Sequence, residues 1–331
     1  MTTQPALPAF FEELLAQQYN AEDIRRIIDG CSAKRPVTLR ANTLLSTRDE
    51  VATELNEAGL AFYCVSWYED AFIVIGAQER DLWNLPIYQQ GKVYLQSLSS
   101  MMPALVLGAQ AGEDVCDMCA APGGKTTQIA ALSGNKAYVT ACEMHAPRAE
   151  KLEYNLRKLG ARSITVMRTD ARQLDEFFSF DRVLLDAPCS GSGTLRAGDE
   201  RTAKCFTPKL LQKSQKSQRA LFTKALGMLK PGSTLVYSTC SVLACENEDI
   251  VEQGLRQMRK KGTFELQPIV ASGESSFGEP ADNADAMADA FFTAEQAAEL
   301  PLLPTRLEGA LCLAPTDLYE GFFIVKIKRT A

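Results

Sequence analysis

Two short segments place thiols beside residues that are typical of tight turns. The first, Asp-Ala-Pro-Cys-Ser-Gly, carries Asp186 and Cys189, and the second, Ser-Thr-Cys-Ser, carries Cys240. A thiolate can add to an electron-poor ring carbon, and a nearby carboxyl group can exchange the proton that such an addition needs. A lone cysteine is more often a small buried hydrophobe, so the chemistry requires a fold that brings the two thiols together.

A third segment, residues 117–126, contains consecutive glycines between a strand-like run and a helix-like run. Glycine lets the backbone approach a ligand closely, and the N-terminus of the following helix presents unpaired N–H groups. The spacing is not that of a P-loop, because Cys119 occupies the position of the first glycine, and it is not Gly-x-Gly-x-x-Gly. Glu143, at the end of the next strand, is placed to accept hydrogen bonds from ribose hydroxyls. A ribose-bearing cofactor with few phosphates fits best, which suggests S-adenosylmethionine.

Strands and helices alternate from Asp114 onward, which predicts a parallel sheet with helices on both faces. The strands are predicted at residues 115–118, 138–143, 164–167, 182–185 and 234–238, with a last strand at 321–327. Ligands of such sheets bind at the carboxyl ends of the strands. The residues that follow the five strands are therefore expected to converge on one edge, and they are Cys119, Glu143, Asp170, Asp186 with Cys189, and Cys240.

The length of 331 residues predicts about two domains. Residues 1–90 are predicted to form a small α+β domain and residues 91–331 the larger one. The elements predicted in the small domain are helices at 10–29 and 47–58 and strands at 37–40, 61–67 and 71–75. Arg40 could contact phosphate, although exposed basic residues usually make no such specific contact. The acidic segment from Ala271 to Leu300 lacks clear periodicity and is predicted to be a loop or a partly mobile insertion.

The charge is unevenly distributed along the chain. A net charge of −6 argues against a protein that coats nucleic acid over its whole surface. Residues 201–230, in contrast, include eight basic and no acidic residues. This segment could bind a polyanion on one face of a helix, or it could simply be a solvated basic helix.

The cysteines and the apolar runs indicate the compartment. Ten cysteines without a secretion signal are predicted to be reduced thiols. The pair Cys116 and Cys119 has no second pair nearby, and His145 is the only histidine, so no metal site is expected. No basic leader and no apolar run of about 18 residues is found, which predicts a cytosolic protein without membrane contact.

The three motifs, in this order, closely resemble those of the Sun-family, RsmB/RsmF-like RNA cytosine-5 methyltransferases. The resemblance rests on Cys-Ala-Ala-Pro-Gly-Gly-Lys at 119–125, Asp-Ala-Pro-Cys-Ser-Gly at 186–191 and Ser-Thr-Cys-Ser at 238–241. It extends from about residue 92 to 257, and more loosely to the Gly-Phe-Phe strand at 321. It implies a Rossmann-like class I methyltransferase domain, with a mostly parallel seven-stranded sheet, preceded by a small α+β domain that positions RNA.

The resemblance also implies roles for individual residues. Cys240 attacks C6 of a cytosine, Asp186 hydrogen-bonds N3 and the exocyclic amine, and Cys189 assists release after C5 is methylated. Glu143 takes the ribose hydroxyls of S-adenosylmethionine, Asp170 meets its adenine amine, and Arg148 lies near it. The residues implied to bind this cofactor are Cys119, Ala120, Ala121, Pro122, Gly123, Gly124, Lys125, Glu143, Arg148, Asp170 and Asp186. The target base must be unstacked, so single-stranded or loop RNA is expected, and ribosomal RNA more than transfer RNA.

Three alternatives remain open. A DNA cytosine-5 methyltransferase would use Cys189 as the nucleophile, an inactive RNA-binding protein would need only the basic segment, and a nicotinamide oxidoreductase would share the sheet. Residues 199–206 depart from the usual family sequence, and the histidine often found before the Gly-Phe-Phe strand is absent. The motifs therefore do not identify the RNA, and no obligatory protein partner is evident from them.

Overall fold

The computed structural model describes residues 7–271 and 290–331, whose strands form two sheets. The strands of the smaller sheet are β1 (Val37–Ala41), β2 (Phe62–Val65), β3 (Tyr68–Val74) and β4 (Val93–Leu95). They pair antiparallel in the order β2-β3-β1-β4. The helices of this part are α3 (Arg48–Glu57), α4 (Glu79–Trp83) and α5 (Pro86–Gln89). Their apolar side chains bury Leu39 and Phe72 in a core of their own, as an α+β module requires.

The helix predicted at 10–29 is in fact two helices, α1 (Ala9–Gln18) and α2 (Ala21–Ser32). The chain breaks at Asn20, whose side-chain oxygen accepts a hydrogen bond from Asp23 N at 2.9 Å and so caps α2. Both helices pack against the larger domain: Tyr19, for example, donates its hydroxyl proton to the carbonyl of Val242 at 2.7 Å. The first helices in the chain thus complete the core of a sheet formed by much later residues.

The larger sheet has nine strands among the described residues. They are β5 (Asp114–Asp117), β6 (Tyr138–Cys142), β7 (Ile164–Met167), β8 (Phe180–Asp186), β9 (Leu229–Thr239), β10 (Phe264–Gln267), β11 (Leu302–Leu303), β12 (Leu311–Leu313) and β13 (Phe322–Arg329). The order is β11-β12-β13-β9-β8-β5-β6-β7, with β10 also paired to β13. Strands β5 to β9 are parallel, whereas β13 runs antiparallel to β9.

The prediction of seven strands was therefore wrong in number. Strands β11 and β12 contain only 2 and 3 residues, too few for an alternating apolar pattern to identify them, and the 4-residue strand β10 was also missed. They add an antiparallel edge: β12 pairs with the first residues of β13 and β10 with its last residues. The predicted class, a Rossmann-like α/β domain preceded by a small α+β domain, is confirmed.

Helices cover both faces of the larger sheet. They are α6 (Leu98–Leu107), α7 (Gly124–Leu132), α8 (Ala146–Lys158), α9 (Glu200–Cys205), α10 (Pro208–Gly227) and α11 (Glu248–Met258), with short 3-10 turns at Ala171–Gln173, Ser192–Thr194 and Ala244–Glu246. Met101 and Leu105 of α6 pack on one face. Phe222 of α10 packs on the other face, together with Phe11 of α1. Because strands β5 to β9 all run parallel, their five carboxyl ends lie at the same edge of the sheet.

Arg40 joins the two sheets and is completely buried. Its guanidinium group donates to Gln96 Oε1 at 2.9 Å, to the Gly124 carbonyl at 3.1 Å and to Thr127 Oγ1 at 2.7 Å. The contact with phosphate considered for Arg40 is therefore wrong. A buried cation needs hydrogen-bond acceptors, and α7 supplies two of them. The domain boundary predicted between residues 90 and 91 stays a prediction. Val93–Leu95, which follows that boundary in the chain, pairs with β1 of the smaller sheet.

The acidic segment predicted as a loop lies partly outside the described residues, at positions 272–289. Its described end is not a loop throughout, because Ala294–Ala298 is helical. Thr293 and Gln296 form a capping box at the start of this helix. Phe292, just before it, is buried against the ring of Trp67, with 5.9 Å between ring centroids. In the described ranges, no helix has both the length and the apolar character that crossing a membrane requires.

Candidate active site

A cavity of about 610 Å³ lies at the carboxyl ends of the parallel strands, between the two sheets. One wall is formed by the glycine-rich loop, Asp186 and Cys240 of the larger domain. The opposite wall includes Thr38 and Gln78 of the small module, and Tyr94 of the strand that leads out of it. Its volume falls within the range of about 300–1,000 Å³ that is usual for small-molecule sites. The cavity can therefore hold a cofactor and is bounded by both parts of the chain.

The glycine-rich loop needs both of its glycines. Gly123 has a φ angle of +109°, which side-chain-bearing residues rarely adopt. A Cβ atom on Gly124 would lie 2.9 Å from the ring of Tyr94, so a larger residue would displace that wall. The outer side of the loop is held by α8, where Asn155 Nδ2 donates to the Pro122 carbonyl at 2.7 Å and Arg148 Nη2 to the Ala121 carbonyl at 2.8 Å.

Asp117 holds the inner side of the same loop and was not among the predicted site residues. Its carboxylate accepts from Thr126 Oγ1 at 2.6 Å and from Cys119 N at 3.3 Å. Burial raises the pKa of Asp117 to about 6, while the Thr126 hydrogen bond opposes the shift. Burial also raises the pKa of the Cys119 thiol well above its usual range, with smaller effects from Asp117 and Asp186. Burial therefore disfavours the thiolate form of Cys119, which lines the cavity.

Asp186 is at the centre of a short hydrogen-bonded chain. Lys125 Nζ lies 2.7 Å from Asp186 Oδ2 and donates also to Ser100 Oγ at 2.7 Å. Ser238 Oγ donates to Asp186 Oδ1 at 2.8 Å. The carboxyl group is therefore held by residues from α7 and β9, in the cavity wall and next to an exchangeable proton.

The two predicted thiols are adjacent. Cys189 Sγ and Cys240 Sγ lie 3.1 Å apart and share a hydrogen bond, and all ten cysteines, which fall within the described ranges, are free thiols. This hydrogen bond, together with burial, raises the pKa of the Cys189 thiol well above its usual range. Cys240 belongs to the cavity lining, whereas Cys189 lies outside the described residues that line it. Of the two cysteines, Cys240 is therefore the one that lines the cavity.

The loop that follows Cys189 is packed tightly against the last strand. Gly193 N donates to the Cys240 carbonyl at 3.0 Å, and Gly321 N donates to the Gly193 carbonyl at 2.8 Å. A Cβ atom on Gly193 would lie only 1.9 Å from the Gly321 carbonyl oxygen. The close contact of these two backbones fixes the loop between the thiols and β13.

Four predicted cofactor residues, Gly123, Glu143, Arg148 and Asp170, lie outside the described residues that line the cavity. Glu143 is buried, forms an ion pair of 3.1 Å with Arg148 and accepts a hydrogen bond from His145 N at 2.8 Å. Asp170 is paired with Arg172. Glu143 nevertheless lies close enough to Cys119 for its charge to raise the pKa of that thiol. The ends of the first two strands therefore converge as expected, while the cofactor contacts of these four residues stay a prediction.

Several basic side chains of residues 201–230 already have partners within the protein. Lys204 pairs with Glu200, Lys224 donates to the Leu174 carbonyl, and Lys230 pairs with Asp114 and Asp181. The exposed basic residues of α10 are Lys209, Lys213, Lys216 and Arg219. Of the residues that the structure describes, none from α10 lines the cavity. Because α10 leads into the amino end of β9, its first turns lie toward the edge of the sheet that carries the cavity.

Replacing Lys213 and Lys216 together with glutamate is expected to weaken RNA binding and to reduce its salt dependence. Each lost phosphate contact lowers the slope of log K against log salt by about 0.7 for a single strand. Binding should be measured by fluorescence anisotropy over a range of salt concentrations. The control is Lys136→Glu with Lys260→Glu, which changes the charge equally at exposed positions near the amino ends of the strands. Equal slopes for the two variants would contradict a role for α10.

Comparison with protein families connects this geometry to known proteins. A family model described as 16S rRNA methyltransferase RsmB/F matches residues 104–327. A second model, described as the ferredoxin-like domain of RsmF/B-like methyltransferases, matches residues 7–79. The two matches together include residues of both walls of the cavity, although Tyr94 lies between the matched ranges.

Individual relatives agree with the family models. Ribosomal RNA small subunit methyltransferase F of Shewanella amazonensis is 33% identical over 308 residues, with 91% of this chain and 60% of the relative covered. The protein of the same name from Shewanella baltica is 32% identical, with 97% and 63% covered. The chain thus spans about three fifths of the length of these curated relatives.

Solved structures give the same fold. A methyltransferase homologue from Pyrococcus horikoshii has a TM-score of 0.72 at 29% identity, with 98% of this chain and 100% of the homologue covered. The structure of NSun6 from Pyrococcus horikoshii has a TM-score of 0.76 at 22% identity, covering 99% of each chain. The second likeness is one of fold alone.

Proposed function

Because the chain belongs to the RsmB/F family of 16S rRNA methyltransferases, we propose that it methylates C5 of a cytosine in RNA through a covalent bond between Cys240 and C6. The observation that carries the proposal is the position of Cys240. Its thiol lines the same cavity as Asp186 and lies 3.1 Å from the Cys189 thiol. A nucleophile, a carboxyl group that recognises the base and a second thiol therefore occur together.

The methyl donor is S-adenosylmethionine, and the chain's residues fit it. The loop of residues 119–125 approaches the cavity with a backbone that only glycine allows at Gly124, where a Cβ would meet Tyr94. The residues that would hold the cofactor are Cys119, Ala120, Ala121, Pro122, Gly123, Gly124 and Lys125, with Glu143 for the ribose, Asp170 for the adenine, and Arg148 and Asp186 nearby. When bound, the cofactor supplies an electrophilic sulfonium methyl group.

The chain's own residues prepare the base for methylation. C5 of cytosine is a poor nucleophile, but addition of the Cys240 thiolate to C6 converts the ring into an enamine in which C5 carries electron density. Asp186 hydrogen-bonds N3 and the exocyclic amine. A proton for N3 can reach Asp186 from the Lys125 ammonium group, which lies 2.7 Å from Oδ2. Protonation at N3 makes the addition at C6 favourable.

Cys189 acts after the methyl group has been transferred. The C5 proton must leave before the bond between C6 and Cys240 can break. The Cys189 sulfur, as thiolate, accepts this proton, the C5–C6 double bond re-forms, and Cys240 leaves C6 as a thiolate. Cys189 Sγ is 3.1 Å from Cys240 Sγ, so it lies beside any base attached to Cys240. Cys189 thereby frees Cys240 for the next turnover.

The substrate is single-stranded or loop RNA, and ribosomal RNA is the substrate class that the relatives' names support. A base must leave its stack before a thiol can reach C6. The cavity lies between the two sheets, so an unstacked base enters against a wall of the small module as well as against Cys240. Residues 1–90 accordingly position RNA, and residues 91–331 bind the cofactor and carry out the chemistry.

The test is a trapping experiment with Cys189→Ala, incubated with S-adenosylmethionine and total cellular RNA and analysed on a denaturing gel. We expect a protein–RNA band, because the base remains attached to Cys240 when release is blocked. The double variant Cys189→Ala/Cys240→Ala serves as the control and should lose the band. Sequencing of the trapped RNA then identifies the target cytosine.

Two outcomes would contradict the proposal. Absence of a band from the single variant, while calorimetry still detects cofactor binding, would exclude the covalent route through Cys240. A band that appears with Cys240→Ala but not with Cys189→Ala would exchange the two roles, as in a DNA-type enzyme.

A further inference from the structure

The Glu246 side chain lies between the two loops that carry the thiols. Its Oε1 accepts a hydrogen bond from Ser190 N at 2.7 Å. Its Oε2 accepts from Ser241 Oγ at 2.7 Å and also from Ser190 Oγ. Ser190 directly follows Cys189 and Ser241 directly follows Cys240. The Glu246 carboxylate thus accepts hydrogen bonds from the residue that follows each of the two cysteines.

Burial of Glu246 is complete, and it has no cation as a partner. In residues 7–271 and 290–331, no basic side chain forms an ion pair with it; hydrogen-bond donors surround it instead. Burial raises the pKa of Glu246, and the bonds from Ser190 and Ser241 oppose the shift. A buried carboxylate is costly unless its hydrogen bonds are complete, so the two loops and the carboxylate depend on one another.

The backbone around Glu246 is itself held in place. Tyr237, on the strand that leads to Cys240, donates its hydroxyl proton to the Glu246 carbonyl at 2.6 Å. Gln218 Nε2, from α10, donates to the Pro188 carbonyl at 3.1 Å and lies 3.4 Å from Glu246 Oε1. The carboxylate is therefore a fixed point, connected to β9 on one side and to the Cys189 loop on the other.

We propose that Glu246 is a positioning residue that sets the separation of the Cys189 and Cys240 thiols. It acts through Ser190 and Ser241 and touches neither sulfur. Its catalytic consequence rests on the proposed function, because both thiols must reach the same base in successive steps. Reacting groups displaced by about 1 Å lose roughly 100-fold in rate, which sets the expected effect of loosening the two loops.

The first test compares Glu246→Gln with Glu248→Gln. Glu248 is also buried, two residues further on, but its carboxylate accepts from Thr305, away from the thiols. We expect Glu246→Gln to lower kcat by about 100-fold. The KM for S-adenosylmethionine should not change, because Glu246 lies outside the described residues that line the cavity. Glu248→Gln should retain kcat. Thermal denaturation establishes that both variants are folded.

The second test measures the thiol separation without methyl transfer. Diamide oxidises two adjacent thiols to a disulfide and is itself reduced to the hydrazine, and peptide mass spectrometry follows the loss of two hydrogens from the Cys189 and Cys240 peptides. The unsubstituted protein should form this disulfide about tenfold faster than Glu246→Gln, because the rate depends on how closely the two sulfurs are held to each other. The variant Ser190→Ala/Ser241→Ala retains the Glu246 carboxylate and its hydrogen bond from Ser190 N. It should also form the disulfide more slowly than the unsubstituted protein, and it replaces Glu246→Gln in the test if that variant does not fold.

These outcomes separate the two proposals. Equal oxidation rates for Glu246→Gln and Glu248→Gln would overturn the positioning role, whatever the methyl transfer activity. A slower rate in Glu246→Gln, in a protein that shows no methyl transfer at all, would support the positioning role and reject the proposed function. A slower rate with unchanged kcat would mean that the thiol separation is not used in catalysis, and would overturn the catalytic part of the inference.

Discussion

Replacing Cys240 with alanine is expected to reduce methyl transfer to RNA by at least about 10⁴-fold, the scale on which enzymes lose kcat when a covalent nucleophile is removed. Without the thiolate, C6 has no partner and C5 stays too electron-poor to react. The measurement is transfer of a radiolabelled methyl group from S-adenosylmethionine to RNA. Cofactor affinity should be retained, since the glycine-rich loop is unaltered.

The matched control for this variant is Cys205→Ala, which removes an exposed thiol at the end of α9. It should transfer the methyl group at the original rate. Substantial turnover by Cys240→Ala would contradict a nucleophilic role for this residue. Among the described residues, the cavity is lined by one further thiol, that of Cys119. The pKa of Cys119 is raised by burial, which makes it a poor substitute.

Replacing Asp186 with asparagine is expected to slow methyl transfer by about 10²–10⁴-fold, the usual contribution of a positioned acid or base. Asparagine keeps the size of the side chain but cannot pass a proton to N3. In the unsubstituted protein, Lys125 Nζ lies 2.7 Å from a carboxylate oxygen of Asp186. The substitution leaves this ammonium group without its counter-charge. Single-turnover rates with saturating RNA measure the effect on the chemistry rather than on binding.

The control uses the other end of the same strand. Asp181 lies near the start of β8, where it pairs with Lys230, whereas Asp186 ends the strand in the cavity wall. Asp181→Asn should therefore leave the single-turnover rate unchanged, although it removes the same charge. If both variants slow the reaction equally, the effect of Asp186→Asn comes from folding and not from the site.

Much of the larger domain could be predicted from the sequence because its parallel strands are apolar runs between turn residues and helix-like segments. Strand β7, predicted at 164–167, has those bounds in the structure, and the glycine turn follows β5 as expected. Strands β11 and β12 are too short to carry such a pattern, and β10 was missed although Phe264–Gln267 alternates apolar and polar residues. Strands β10 and β12 pair with β13, and β11 pairs with β12, so these strands depend on the assembled sheet and not on any local segment.

The candidate site divides in the same way. Cys189 and Cys240 were predicted from their motifs, and the structure brings their sulfurs together although 51 residues separate them. Glu246 was missed because its partners, Ser190 and Ser241, are ordinary turn residues in sequence. Arg40 was misjudged because its acceptor on Gly124 lies 84 residues away. Burial and hydrogen-bond partners of this kind are set by long-range packing, which spacing along the chain does not encode.

The position of α1 and α2 in the core of the larger domain has a consequence for synthesis on the ribosome. Tyr19 bonds to the carbonyl of Val242, which is translated 223 residues later. At about 5–20 residues per second, the apolar side chains of α1 wait roughly 10–45 s for their partners. During that interval Phe11 and Leu15, which are fully buried in the finished protein, remain uncovered on the nascent chain. The docking of these helices onto the larger domain is therefore a late event in folding during synthesis.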